Sequence, residues 1–345
     1  NGYPDIATLL VEARVNLNRF NNNGESAVRM AQDKGYTKLV ELLQSKGANP
    51  ELKFESDSPL YVAAMSDDIQ LVSELLKHGA NPNIPNNDGM TLLYVAAMQG
   101  HTERVGELLK HKADPNISNN DGMTPLYAAA MEGHTAIVAE LLRHGANPNI
   151  PNNDGRTPLY AAALRGHTEI VAELLKHKAN PNISNNDGRT PLFEAAWGGH
   201  TQIVAELLKH GANFDVQDSH GKTPLFAAAR HGHTATATEL LDKKANPNIS
   251  DNDEITPLFA AVMRGDTATV AELLNKKANP NIPNIDGMIP LYLAAMMGDT
   301  PTVGELLSHG ADPNIPNNLG KTPLSAAVRQ GHTQTVGELL SHGVD

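Results

Sequence analysis

A Thr-Pro-Leu signal, or a close variant of it, returns at Ser58, Thr91, Thr124, Thr157, Thr190, Thr223, Thr256, Ile289 and Thr322, and every step is 33 residues. This period constrains the fold more than the total length of 345 residues does. A copy of that size cannot bury its own core and must stack on its neighbours. A degenerate copy begins at Ser26, one residue short of register, and residues 6–25 match only the second half of a unit. The chain therefore reads as a single domain over 1–345. It comprises a partial first unit (6–25), a degenerate unit (26–57), eight 33-residue units (58–321) and a C-terminal unit (322–345). "NIPNN" and "NISNN" alternate between units, as expected of duplication in pairs.

Local chemistry predicts the shape of each unit. In "TPLYAAAMEGHTAIVAELLRHGANPNIPNNDG", Thr124 is placed to cap a helix, and Pro125 suits a first turn that needs no backbone N–H. Leu126, Ala129 and Ala130 give that helix a narrow apolar side. Gly133 ends it, and Ile137, Val138, Leu141 and Leu142 recur at helical spacing in a second helix that Gly145 stops. The following Asn, Pro and Asp-Gly residues are turn chemistry. The unit is thus helix, turn, helix and an extended tip.

These residues carry a resemblance. "DGRTPLYAAALRGHTEIVAELLKHKANPNI" resembles the ankyrin repeat along essentially the whole chain. The resemblance implies an all-α solenoid of stacked helix-turn-helix units, about ten in number, with short β-hairpin or loop tips. It also implies a role in protein–protein recognition. The His that the family carries after Thr-Pro-Leu is here Tyr or Phe, as in Tyr160 and Phe193, or Ser325, so its usual bonds to the hairpin are not expected. Lys112, Lys178, Lys244 and Lys277 replace the C-terminal glycine, implying strain wherever the backbone stays left-handed. Glu254 replaces a tip glycine, so that tip is expected to be the least regular.

Catalytic and metal chemistry find little footing. The chain has no cysteine, which excludes disulfides, thiolate metal sites and a cysteine nucleophile. Thirteen of the fifteen histidines recur at two repeat positions, the Gly-His corner and the end of the second helix, and read as structural. Gly-Lys-Thr at Gly221 and Gly320 lacks the earlier glycine of a phosphate loop, since Val216 and Ile315 stand there. The tip "NNDG" lacks the alternating oxygens and closing Glu of a calcium loop. Asn116, Asn182 and Asn248 match a glycosylation sequon as a by-product of the repeat. The recurring Glu near Lys or His reads as a solvated helix face. No catalytic residue, metal or cofactor is expected. No apolar run approaches the ~18 residues of a membrane span. No signal identifies a compartment, and the cytoplasm is favoured. The chain starts at Asn1 in mid-unit, as a fragment or processed chain would.

The resemblance also implies that three positions per unit face a partner: one just before Thr-Pro-Leu and two just before Gly-His. Nine of the ten methionines and the single tryptophan occupy such positions. The candidate partner-binding residues toward the N-terminus are Met65, Met90, Met98, Met123 and Met131. Arg156, Leu164, Arg165, Arg189, Trp197, Lys222 and Arg230 follow in the middle, and Met263, Arg264, Met288 and Met296 toward the C-terminus. Across all twenty-seven positions there are eight basic and two acidic residues, although the chain carries a net charge of −12. Met-rich surfaces adapt to partners, and apolar rows of this length exceed the patches that ordinary monomers expose. The expected function is a non-catalytic scaffold with a groove roughly 70–80 Å long, given helices packed ~8–10 Å apart. Its ligand would be a protein or peptide with an acidic centre and apolar anchors at both ends. The alternative is a targeting arm of a larger enzyme, effector or toxin. The acidic net charge and scarce aromatics argue against nucleic acid. A monomer is expected in isolation, with a self-assembling array as its rival.

Overall fold

The structure, a computed structural model, describes residues 26–45, Leu60, Ala64 and residues 69–343. The partial unit expected over 6–25 and the candidate Met65 lie outside the described residues. The chain divides into two compact bodies, 1–153 and 154–345. Among the described residues there are nineteen helices and no strand, so the tips are loops.

In the first body the helices are α1 (Ala27–Asp33), α2 (Thr37–Ser45), α3 (Ile69–Lys77), α4 (Leu92–Gln99), α5 (Thr102–Lys110), α6 (Pro125–Glu132) and α7 (Thr135–Arg143). Thr91 and Thr124 cap α4 and α6 by accepting the backbone N–H of Tyr94 and Tyr127. Leu126, Ala129 and Ala130 are fully buried, as are Val138 and Leu141 on α7. Each tip is an Asx turn. The side-chain oxygen of Asn119 accepts the N–H groups of Asp121 and Met123 at 3.1 and 2.9 Å.

The second body repeats this plan through α8 (Pro158–Arg165), α9 (Thr168–Lys176), α10 (Pro191–Trp197), α11 (Thr201–Lys209), α12 (Pro224–His231) and α13 (Thr234–Asp242). It continues with α14 (Pro257–Arg264), α15 (Thr267–Asn275), α16 (Pro290–Met297), α17 (Thr300–Ser308), α18 (Pro323–Gln330) and α19 (Thr333–Ser341).

The two kinds of helix-ending glycine differ in what surrounds them. At the corner, a Cβ on Gly166 would lie 2.8 Å from the His200 ring of the next repeat. At the end of the second helix, a Cβ on Gly211 would meet nothing within 4 Å. Space is therefore open at that second position, and lysine can occupy it at the cost of left-handed strain alone. Lys112, Lys178, Lys244 and Lys277 do adopt φ of 63 to 70°, as the sequence predicts.

The tip at Glu254 keeps its turn, but its bond to the next tip is the longest of the series, as an irregular tip implies. Glu254 takes φ 59° and closes its turn with a 3.0 Å bond to the Asp251 carbonyl, while the Ile285 N–H reaches the Asp253 carbonyl at 3.3 Å, against 2.8–3.1 Å at the other tips. The reason the turn survives lies one repeat on. A Cβ on Gly155 or Gly221 would collide with Oδ1 of Asn186 or Asn252, at 2.8 and 2.6 Å. The residue that would face Glu254 in this way is Ile285, which is 61% exposed and brings no amide into that space.

A further joint was not anticipated. Where α11 buries Ile203, the later repeats bury Thr236, Thr269, Thr302 and Thr335. Each hydroxyl pairs with a threonine at the start of the preceding repeat's second helix: Thr201, Thr234, Thr267 and Thr300, at 2.7–2.8 Å.

Two outcomes follow from this backbone analysis. Lys178→Gly should stabilise the chain by up to ~1 kcal/mol in urea unfolding, because the left-handed strain is removed. Ile285→Asn should destabilise the chain bearing Glu254 but not the Glu254→Gly background. A double-mutant cycle should give a coupling of about 1 kcal/mol, and additive effects would exclude the compensation.

Candidate partner-binding face

The candidate residues fall into two rows with different roles. The first row precedes each helix-capping residue, and several of its members lie against an aromatic ring. Met90 and Met123 pack on Tyr94, Val95 and Ala128. In the second body the guanidinium of Arg156 lies 5.7 Å from the Tyr160 ring centre, Arg189 4.9 Å from Phe193, and the Lys222 ammonium 5.6 Å from Phe226. Methionine and cation thus do one job here, shielding the ring's face. Met288 is likewise half-buried.

The second row ends the first helix of each repeat and faces outward. Met98 is 36% exposed, Trp197 38%, Met263 39% and Met297 45%. Arg165, Arg230 and Arg264 are exposed, while Met131, Leu164 and Met296 are half-buried. Where the next repeat's corner is a histidine rather than Asp266 or Asp299, it fixes the backbone of this row. His134 Nε2–H donates to the Met98 carbonyl at 3.1 Å, His233 to Trp197 at 3.0 Å and His332 to Met296 at 3.1 Å.

Around Trp197 the charges are arranged in a way that a count of the two rows does not reveal. Glu194, only 5% exposed, accepts the Tyr160 hydroxyl proton at 2.7 Å, and Asn185 Nδ2 donates to the same hydroxyl at 3.2 Å. Tyr160 thereby recovers a bond to the tip that its replacement of histidine was expected to forfeit. Burial, and then the hydrogen-bonded Glu194, push its phenol pKa well up. Arg189 donates from Nε to the buried Asp218 at 3.2 Å, and its Nη1 lies 3.8 Å from Glu194. The guanidinium also lies 5.4 Å from the Trp197 ring centre, and His231 packs on that indole at 4.1 Å. The expected basic middle is therefore interrupted at its centre, because Arg189 is consumed by two buried carboxylates. Burial lowers the pKa of His231, helped by His233, Arg230 and Arg264. Its Nε2 is buried without a hydrogen-bond partner.

The other recurring polar residues have structural partners. Most histidines ending the second helices donate Nδ1–H to the carbonyl four residues back, as His144 does to Glu140 at 2.9 Å and His210 to Glu206 at 2.9 Å, whereas His111 sets its Nε2 3.2 Å from the Glu107 carboxylate. The sequon residue Asn116 accepts the Asn147 N–H at 2.7 Å and donates to the Gly145 carbonyl at 3.2 Å. Asn182 bridges Asn213 and Gly211 in the same way. Among the described residues no group of three or more His, Cys, Asp or Glu is arranged to hold a metal ion. No described helix is long and apolar enough to cross a membrane.

Comparison with known proteins identifies the repeat. The sequence profile described as Ankyrin repeats (3 copies) matches residues 60–152, 94–185, 136–218, 177–253, 210–284 and 258–345. The human Ankyrin repeat and MYND domain-containing protein 1 is 39% identical over 72 residues, which cover 19% of this chain and 8% of that protein.

Glu194→Ala should cost about 1–3 kcal/mol in urea unfolding, since it strands the Tyr160 hydroxyl and removes a buried partner of Arg189. Acid should weaken the fold as well. Burial is the main cause holding the His200 pKa below its usual value. A depressed histidine supplies stability that is complete above the unfolded pKa of about 6.5 and is lost as pH falls below it. The urea midpoint should therefore drop between pH 7.5 and 5.5, and His200→Gln should reduce that drop.

Proposed function

The chain belongs to the ankyrin-repeat family, and we propose that it is a non-catalytic recognition module whose outward row of first-helix ends receives a segment of a partner protein. Ankyrin repeats are generally protein–protein interaction modules. The observation that carries the reading is the contrast within the first helices α4, α10 and α14. Their Leu and Ala side chains are buried, while Met98, Trp197 and Met263 at their ends remain exposed. At Met98 and Trp197 the backbone is already fixed by a corner histidine, so binding there orders little of the protein itself. Methionine tolerates varied partner shapes, and a central aromatic with a polar surround has the character of an interface hot spot.

A second reading makes this chain the recognition arm of a longer protein whose chemistry lies elsewhere. It is supported by the human relative, whose name joins ankyrin repeats to another domain and of which the match covers 8%.

Affinity capture on the immobilised chain tests the proposal. Met263→Asp with Met297→Asp, both in the second body, should abolish retention of a specific partner, whereas Lys176→Ala with Lys209→Ala, on the second helices, should not. Trp197→Ala should lower affinity by ~2 kcal/mol or more. It should cost much less stability than the ~3–5 kcal/mol of a buried aromatic. A large loss of stability with unchanged retention would refute the assignment of Trp197.

A further inference from the structure

We propose that the seat at Trp197 takes an extended acidic segment in which one large apolar side chain lies midway between two carboxylates, with Arg165 and Arg230 receiving the acids. The proposal rests on the reading of this face as a partner-binding surface and reverses the order expected from the sequence, which placed acids at the centre.

Three observations on consecutive first helices, α8, α10 and α12, carry it. Arg189, the cation nearest the indole, is held by Asp218 and Glu194 and stacked over Phe193 and Trp197. A ligand carboxylate at that point would have to displace a buried ion pair, which is costly. Arg165 and Arg230, on the helices either side, are exposed and pair with no carboxylate among the described residues. Gly198, beside the indole, carries no side chain where other repeats have Arg165, His231 or Arg264. A Cβ there would approach His200 Nε2 to 2.6 Å, so the imidazole fills that space and no charged side chain stands beside the indole. The arrangement is an indole 38% exposed, whose nearest cation is already paired, with an exposed arginine on the helix to either side.

Spacing defines the ligand further. Adjacent packed helices lie ~8–10 Å apart, so Arg165 and Arg230, two helices apart, are separated by about 16–20 Å. In the polyproline II form an extended chain rises about 3.1 Å per residue with three residues per turn, so carboxylates six residues apart stand about 19 Å apart on the same face as the residue midway between them. The match is to Glu-x-x-Leu-x-x-Glu.

The single tryptophan of the chain makes the test direct. The full chain is titrated with acetyl-Glu-Gly-Ser-Leu-Ser-Gly-Glu-amide in low salt while Trp197 emission is followed. A saturable blue shift is expected. Affinity should fall at least tenfold when both Glu become Gln, when Leu becomes Ser, and when the Glu residues stand three apart. Arg165→Gln with Arg230→Gln should weaken binding by a similar factor with an unchanged thermal melt. Equal binding of the Leu-to-Ser peptide, no shift up to millimolar peptide, or indifference to the arginine substitutions would overturn the proposal. So would a twelve-residue oligothymidylate that shifts the emission at lower concentration than the peptide, since that outcome marks a polyanion site. Retention of a captured partner distinguishes the two levels. A partner kept by the arginine variant but lost with Met263→Asp and Met297→Asp overturns this ligand and leaves the partner-binding face standing. A partner indifferent to all four substitutions overturns the face as well.

Discussion

Within each body, a repeat is completed by the repeat that follows it. The corner histidine shows this most compactly. His134 lies against Gly100, where a Cβ would come within 2.8 Å of its ring, and donates to the Met98 carbonyl. His233 does the same to Gly199 and Trp197. One ring thus requires a bare glycine, fixes the end of a helix and sets the backbone from which the outward row projects. Asparagines at the tips supply a second joint, as Asn252 Nδ2 does to the Ser219 carbonyl. Neither joint exists in an isolated repeat, so local structure and packing form together.

On this frame, the face around Trp197 separates two uses of positive charge. Arg189 is spent on the protein, where it neutralises Asp218 and shields Phe193. Arg165 and Arg230 remain at the surface. A buried pair contributes little net affinity to any ligand, because its charge is already compensated, whereas exposed cations steer encounter and register. The methionines divide similarly. Met90 and Met123 cover rings of their own body, while Met98 and Met263 stay open.

Much of this was legible in the residues. The 33-residue step, the Thr caps, the corner glycines and the left-handed lysines are local features, and each leaves a mark on neighbouring positions in sequence. What escaped notice depends on residues about one repeat apart. Glu194 stands out in sequence only as a substitute for a small residue, and its partners, Tyr160 and Arg189, are known only once α8 and α10 lie side by side. Glu254 reads as a defect until Ile285 is found to leave the space that an asparagine would fill. The threonine pairs had a signal, the change from Ile203 to Thr236, but the hydroxyl partner thirty-five residues away is a consequence of stacking.

Those threonine pairs also change how the joints respond to temperature. Burying isoleucine removes apolar surface from water, and its re-exposure raises heat capacity. Such a joint weakens on cooling as the hydrophobic drive fades. Burying Thr236, Thr269, Thr302 or Thr335 against another hydroxyl exchanges part of that apolar surface for a hydrogen bond. The heat-capacity increment on opening is then smaller, and the joint's strength is flatter with temperature. The second body is therefore thermally graded along its length: repeats joined through isoleucine loosen first in the cold, while those joined through threonine hold nearly constant.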